Sequence, residues 1–240
     1  MDGLKDRVAI VTGGGAGIGN GIALALARAG AKVVVCGRRM QPLDATAKAI
    51  RDLRGDALAI QADVSRSNDV RSVVDATMSA YGAVDILINN AGVLGGSQIH
   101  EHDITDWDRV MEANLRGPFL MARAVLPIMR NQRQGEIVNI SSESGLEYYE
   151  GDGAYGVAKH ALNALSEFIQ RENQSFGVRV STVCPGMVVT EMTRDRPGLN
   201  HDKCLYPDDI ADLVMWLLTR RPNIKMGRPI LIQTMENPWE

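Results

Sequence analysis

Short runs of branched apolar residues alternate along this chain with longer stretches whose apolar positions recur at helical spacing. Val8–Val11 is the first such run. Glycines follow it, and Ile18, Ile22, Leu26 and Ala29 then mark one helical face that Gly30 closes. Further strands are predicted at Val33–Cys36, Ala57–Gln61 and Ile86–Asn89. Between them lie helical stretches over Leu43–Leu53 and over Val70, Val73, Val74, Thr77 and Tyr81. The second half repeats the alternation. One long helix is predicted from Asp106 to Arg130, with Thr105 as its N-cap and with Pro118 and Pro127 kinking or breaking it. Strands at Glu136–Ser141, Val178–Cys184 and Pro229–Gln233 alternate with helices over Tyr155–Phe176 and Pro207–Thr219. Such alternation predicts the α/β class, a doubly wound parallel sheet covered by helices on both faces.

Composition narrows the function classes. The 240 residues suit one large domain, and no linker or repeat divides residues 1–240. A net charge of -3 with no basic run argues against a nucleic-acid partner. Cys36, Cys184 and Cys204 are far apart and show no metal-ligand spacing, so a disulfide framework and a metal site are not expected. The lead-in Met1–Lys5 is polar, and no window holds the roughly 18 apolar residues of a membrane span. A soluble, cytoplasmic protein is expected. The longest irregular segment, Thr190–Tyr206, is polar and charged, and a loop of that length usually serves function.

Two places carry candidate chemistry. The first is Thr12–Gly19, between the first strand and the first helix, where Gly13, Gly15, Gly17, Ile18 and Gly19 would let a pyrophosphate approach the backbone at a helix N-terminus. The alternative is a flexible turn. At the end of the second strand, an acidic residue would favour NAD by binding the ribose hydroxyls. Gly37 stands there instead, followed by Arg38 and Arg39. Guanidinium groups can hold a 2′-phosphate, which favours NADP(H) with NAD(H) as the alternative cofactor. The two arginines could instead simply solvate a helix start.

The second place is Tyr155 and Lys159, one helical turn apart and so on one face. A phenol titrates near ~10 and is a poor base at neutral pH. A neighbouring ammonium would lower that value and let the tyrosine exchange a proton with an alcohol or carbonyl oxygen.

The motifs TGxxxGIG (Thr12–Gly19), NNAG (Asn89–Gly92) and YxxxK (Tyr155–Lys159), in this order, resemble those of the single-domain short-chain dehydrogenase/reductase family, over roughly residues 5–235. The likeness is nearest to 3-oxoacyl-carrier-protein reductases. It implies a Rossmann-type fold, a small-molecule carbonyl or alcohol substrate and a homo-oligomer, tetramer or dimer. It also implies site residues. Asn114, Ser142, Tyr155 and Lys159 would be catalytic, with Ser142 holding the substrate oxygen and Asn114 holding a water that joins the lysine to solvent. Ser142 is chosen over Ser141 by its spacing from Tyr155. Strand alternation would turn Ser141 to the other side. Asp63, with Val64 beside it, would receive the adenine amino group, or cap a nearby helix. Asn90, Ala91 and Gly92 would pass beside the cofactor, and Asn89 would tie neighbouring strands. Pro185, Gly186, Val188 and Thr190 would pack on the nicotinamide, and Lys159 would also hold its ribose. A non-catalytic NADP-binding or redox-sensing protein on the same fold is the alternative function. A nucleotide-sugar epimerase shares YxxxK but carries a larger substrate domain.

Substrate choice is expected from Val93–His100, Glu143–Tyr149 and Met187–Tyr206. Tyr148, Tyr149, Met187 and Met192 could wall an apolar pocket there. Arg194, Arg196, His201 and Lys203 form either a cationic lip or a solvated loop. The tail from Thr234 to Glu240 departs from the family's glycine-rich ending.

Overall fold

The structure, a computed structural model, describes residues 2–240; Met1, which opens the polar lead-in, lies outside them. Seven strands form one parallel sheet: β1 (Val8–Thr12), β2 (Lys32–Gly37), β3 (Ala57–Gln61), β4 (Ile86–Asn89), β5 (Gly135–Ile140), β6 (Val178–Pro185) and β7 (Ile230–Ile232). Their order is β3-β2-β1-β4-β5-β6-β7. The chain winds outward from β1 in one direction and from β4 in the other, so strand order reverses between them. A crevice opens at the carboxyl ends of the strands at such a reversal.

Parallel strands buried on both faces read as unbroken apolar runs, and their side chains alternate between two cores. Ala9, Val11, Val33, Val35, Ile86 and Ile88 face one core, with residues of α1 (Gly17–Arg28), α2 (Met40–Asp52) and α7 (Pro207–Leu218). Ile10, Val34, Cys36 and Leu87 face the other, with residues of α3 (Ser67–Tyr81), α5 (Gly117–Gln132) and α6 (Gly153–Asn173). The predicted alternation of strands and helices is the observed one.

The predicted helix Asp106–Arg130 is corrected. The chain forms α4 (Ile104–Met111), a π-helical turn over Glu112–Arg116, and then α5. The N-cap is Asp103, whose carboxylate accepts from the backbone N–H groups of Thr105 and Asp106. Thr105 is inside the helix and donates its hydroxyl to the same carboxylate. Pro118 has no N–H to return to Asn114, so α-helical pairing fails there. The Gly117 N–H bonds instead to the Glu112 carbonyl, one residue further back than an α-helix allows. Pro127, by contrast, lies inside α5 without ending it. No helix of the described residues is long and apolar enough to cross a membrane.

Candidate active site

A cleft of about 490 Å³ runs along the carboxyl ends of the strands, from the tip of β2 to the start of α6. At one end the chain turns from β1 into α1. Gly13 and Gly17 take φ +65 and +52, backbone that other residues adopt at a cost. No side chain caps α1, which leaves the N–H groups of its first turn free at a cleft wall that Gly17 and Ile18 line. Thr12 fixes this turn to the neighbouring strand. Its hydroxyl donates to the Ile88 carbonyl and accepts from the backbone N–H groups of Asn90 and Ala91, both at 3.0 Å. The Asn90 amide returns a bond to the Thr12 carbonyl.

Arg38, Arg39 and Asp63 stand at the outer lip. Burial alone would raise the Asp63 pKa. Hydrogen bonds from Ser65 and the guanidinium groups of Arg38 and Arg66 outweigh it and hold the carboxyl below its ordinary value. The carboxylate accepts from the Ser65 N–H and hydroxyl, so Asp63 caps the turn before α3; the N-cap of α3 itself is Arg66. Uncapped donors and a charge-lined lip form a donor set that fits a dinucleotide.

At the other end, α6 brings Tyr155 and Lys159 to the cleft wall. The Lys159 ammonium lies 5.4 Å from the centre of the Tyr155 ring and donates to the Ile140 carbonyl at 3.0 Å. Burial lowers the Lys159 pKa to about 8. Burial also pushes the Tyr155 phenol up to about 12, against the expected lowering by the lysine. Desolvation wins at this position because it disfavours the phenolate more than its neighbours favour it. Ser142 opposes the shift as a hydrogen-bond partner of the phenol. The buried Asn114 sits in the π-helical turn. Its amide donates to the carbonyls of Val93 and Val110, and its oxygen accepts from the Val93 N–H.

Residues 7–198 match the short chain dehydrogenase family. The chain belongs to that family. An uncharacterized oxidoreductase of Staphylococcus aureus is 33% identical over 227 residues, covering 95% of this chain and 97% of the relative. One of Staphylococcus saprophyticus is 36% identical over 225 residues, covering 93% and 96%. Three solved structures share the fold. A levodione reductase has TM-score 0.88 and 28% identity, over 95% of this chain and 96% of that one. A metagenomic short-chain oxidoreductase in complex with NADP has TM-score 0.85 and 32% identity, over 98% and 100%. An alcohol dehydrogenase from Thermococcus sibiricus, complexed with 5-hydroxy-NADP, has TM-score 0.89 and 26% identity, over 98% of each chain.

In this short-chain dehydrogenase the cleft brings together Gly13, Gly17, Ile18, Arg38, Arg39, Asp63, Val64, Asn90, Ala91, Gly92, Asn114, Tyr155, Lys159 and Thr190. Six other residues singled out from the sequence, Gly15, Gly19, Ser142, Pro185, Gly186 and Val188, are not among that lining. A Cβ on Gly15 would meet Pro42 and Leu43, and one on Gly19 would lie 2.4 Å from the Gly13 carbonyl oxygen. Ser142 neighbours Tyr155 and accepts from the Ser144 N–H. Pro185 ends β6, the Gly186 N–H donates to Ile232, and Val188 pairs with Leu205. Asn89 bonds Asn139 across the strands.

The lining also holds residues that were set aside or not singled out as site residues. Ser141, expected to turn to the other side, borders the cleft; its N–H continues the pairing to Val183 and its hydroxyl donates to the Lys159 carbonyl. Ile140 acts through its carbonyl, which residue type does not reveal. Met192, expected as a wall of the pocket, lines the cleft, and Glu191, not foreseen, arrives beside it with the segment after Thr190. That segment is held by the tail: the Asn200 N–H donates to Pro238 and the Thr234 hydroxyl to Lys203. Tyr148 is exposed and stacks on His160, away from the lining.

Proposed function

We propose that this short-chain dehydrogenase interconverts a ketone and a secondary alcohol with NADP(H), using Tyr155 as proton donor and acceptor. The observation that carries the reading is the meeting of Tyr155 and Lys159, with Ser142 beside the Tyr155 phenol, at one end of a cleft whose other end is an uncapped, glycine-built helix N-terminus. When bound, NADP(H) supplies or takes up the hydride.

The chain's own groups handle the proton. With its pKa near 12, the Tyr155 phenol holds its proton at neutral pH and can give it to a carbonyl oxygen. Ser142 holds that oxygen. Lys159, near 8, is mostly charged at neutral pH and favours the phenolate that remains. The Asn114 side chain is committed to Val93 and Val110, so its part in returning a proton runs through its backbone carbonyl, which Pro118 cannot engage. Arg38 at the lip and the absence of a carboxylate at Gly37 support NADP(H) over NAD(H). The NADP-type cofactors of two solved relatives support the same choice, and the alcohol dehydrogenase among them supports the reaction class.

The test is NADPH oxidation against a panel of ketones. The wild type is expected to consume NADPH with at least one ketone, and Tyr155→Phe to lose about 100-fold or more of that rate. Equal rates would remove the proposed role of the phenol.

A further inference from the structure

Two contacts bridge the mouth of the cleft. Thr190 lies over the glycine turn, where a Cβ on Gly17 would meet its methyl carbon at 3.1 Å. The next residue, Glu191, reaches the opposite lip and accepts from the Arg39 guanidinium at 3.0 Å. Both partners line the cleft. Arg38, beside them, makes no such ion pair among the described residues, though its charge acts on Asp63. The two arginines therefore differ: one guanidinium is free, and the other is held by a carboxylate from a segment far away in the chain.

We propose that Glu191 is a specificity-determining residue that competes with a nucleotide 2′-phosphate for Arg39. The proposal rests on the NADP(H) reading and adds to it. A phosphate dianion can take two parallel bonds from one guanidinium, stronger than a single exposed carboxylate contact. The Arg39–Glu191 pair is largely exposed, with side chains 69% and 53% accessible, so it is weak enough for the phosphate to displace. Until displaced, it costs the phosphorylated nucleotide part of its affinity. A nucleotide with a free 2′-hydroxyl has no charge to offer Arg39 and leaves the pair closed. Glu191 thus narrows the preference for NADP(H) over NAD(H) that the arginines create.

The experiment is calorimetric titration of wild type, Glu191→Gln, Arg39→Gln and the double variant with 2′,5′-ADP and with 5′-AMP. In the wild type, 2′,5′-ADP is expected to bind at least about tenfold tighter than 5′-AMP. Glu191→Gln is expected to tighten 2′,5′-ADP by about two- to five-fold and to leave 5′-AMP unchanged. In the Arg39→Gln background, Glu191→Gln should have no effect, because the competition is for that guanidinium. A wild type that binds both ligands equally would overturn the NADP(H) reading and this inference together. A wild type that prefers 2′,5′-ADP, with a Glu191→Gln variant that binds it no tighter, overturns the inference alone. Weaker binding of both ligands by Glu191→Gln would make Glu191 a prop for the cleft and also overturn it.

Discussion

The glycine turn and the Thr190–Tyr206 segment face each other across one cleft, yet they are built by different means. The turn is set by backbone. Its glycines approach other backbone atoms so closely that an added methyl would collide, and Thr12 and Asn90 lock it to β4. The opposite segment has backbone pairs at its base, Val189 on Leu205 and Asn200 on Pro238, but side chains join it to its surroundings at the cleft mouth: Glu191 on Arg39 and Thr193 on Val188. A wall made of buried backbone fixes what every cofactor shares. A wall made of exposed side chains can change partner choice without unfolding the protein.

That contrast can be broken in order of effect. Gly19→Val should be the most damaging, since its Cβ would lie 2.4 Å from the Gly13 oxygen and 2.5 Å from the Asn90 amide. Loss of NADPH binding by about 100-fold, with destabilisation of about 3 kcal/mol, is expected from calorimetry and urea unfolding. Unchanged values for both would mean the turn is not the rigid wall.

Lys159→Met comes next and separates activity from stability. Turnover should fall about 100-fold, while stability rises. The Lys159 pKa goes from 10.5 in the unfolded chain to about 8 when folded, because burial disfavours the charge. Between those values the unfolded state binds more protons, so this group's contribution to stability rises with pH. Its full penalty, about 3 kcal/mol, is present below pH 8 and gone above 10.5. Cys36, Cys184 and Tyr155 act oppositely, since burial raises their folded values. The variant-minus-wild-type difference isolates the lysine: it should favour the variant near pH 7 and shrink as pH approaches 10. A difference independent of pH would contradict the buried ammonium.

Arg38→Asp is smaller and confined to the lip. It should shift relative affinity from NADPH toward NADH by about tenfold while stability moves by less than about 0.5 kcal/mol. Unchanged relative affinities would remove Arg38 from cofactor choice. The competition at Glu191 is the smallest effect expected.

The same contrast explains what the sequence made readable. β4 could be placed to the residue because a parallel strand buried on both faces leaves an unbroken apolar run; β3, the half-buried edge strand, still shows the run Ala57–Ile60 before the exposed Gln61. The glycine turn could be read because only glycine tolerates such approach. The division of the predicted helix Asp106–Arg130 was only half legible. Pro118 signalled a break, but the π-helical turn that turns Asn114 inward leaves no gap in apolar spacing. Glu191 gave no local sign, since its partner lies across the cleft and only folding brings them together. Likewise, residue type said that Lys159 would lower the Tyr155 pKa; the depth of burial that reverses this is a property of the packed chain.

The most direct test of the central claim is to measure binding and chemistry on the same Tyr155→Phe sample, by NADPH titration followed by a single turnover with a ketone that the wild type reduces. The account predicts NADPH affinity within about twofold of wild type and hydride transfer slower by about 100-fold or more. Loss of NADPH binding would make Tyr155 a scaffold for the cofactor, and an unchanged single-turnover rate would show that the proton comes from elsewhere; either result contradicts it.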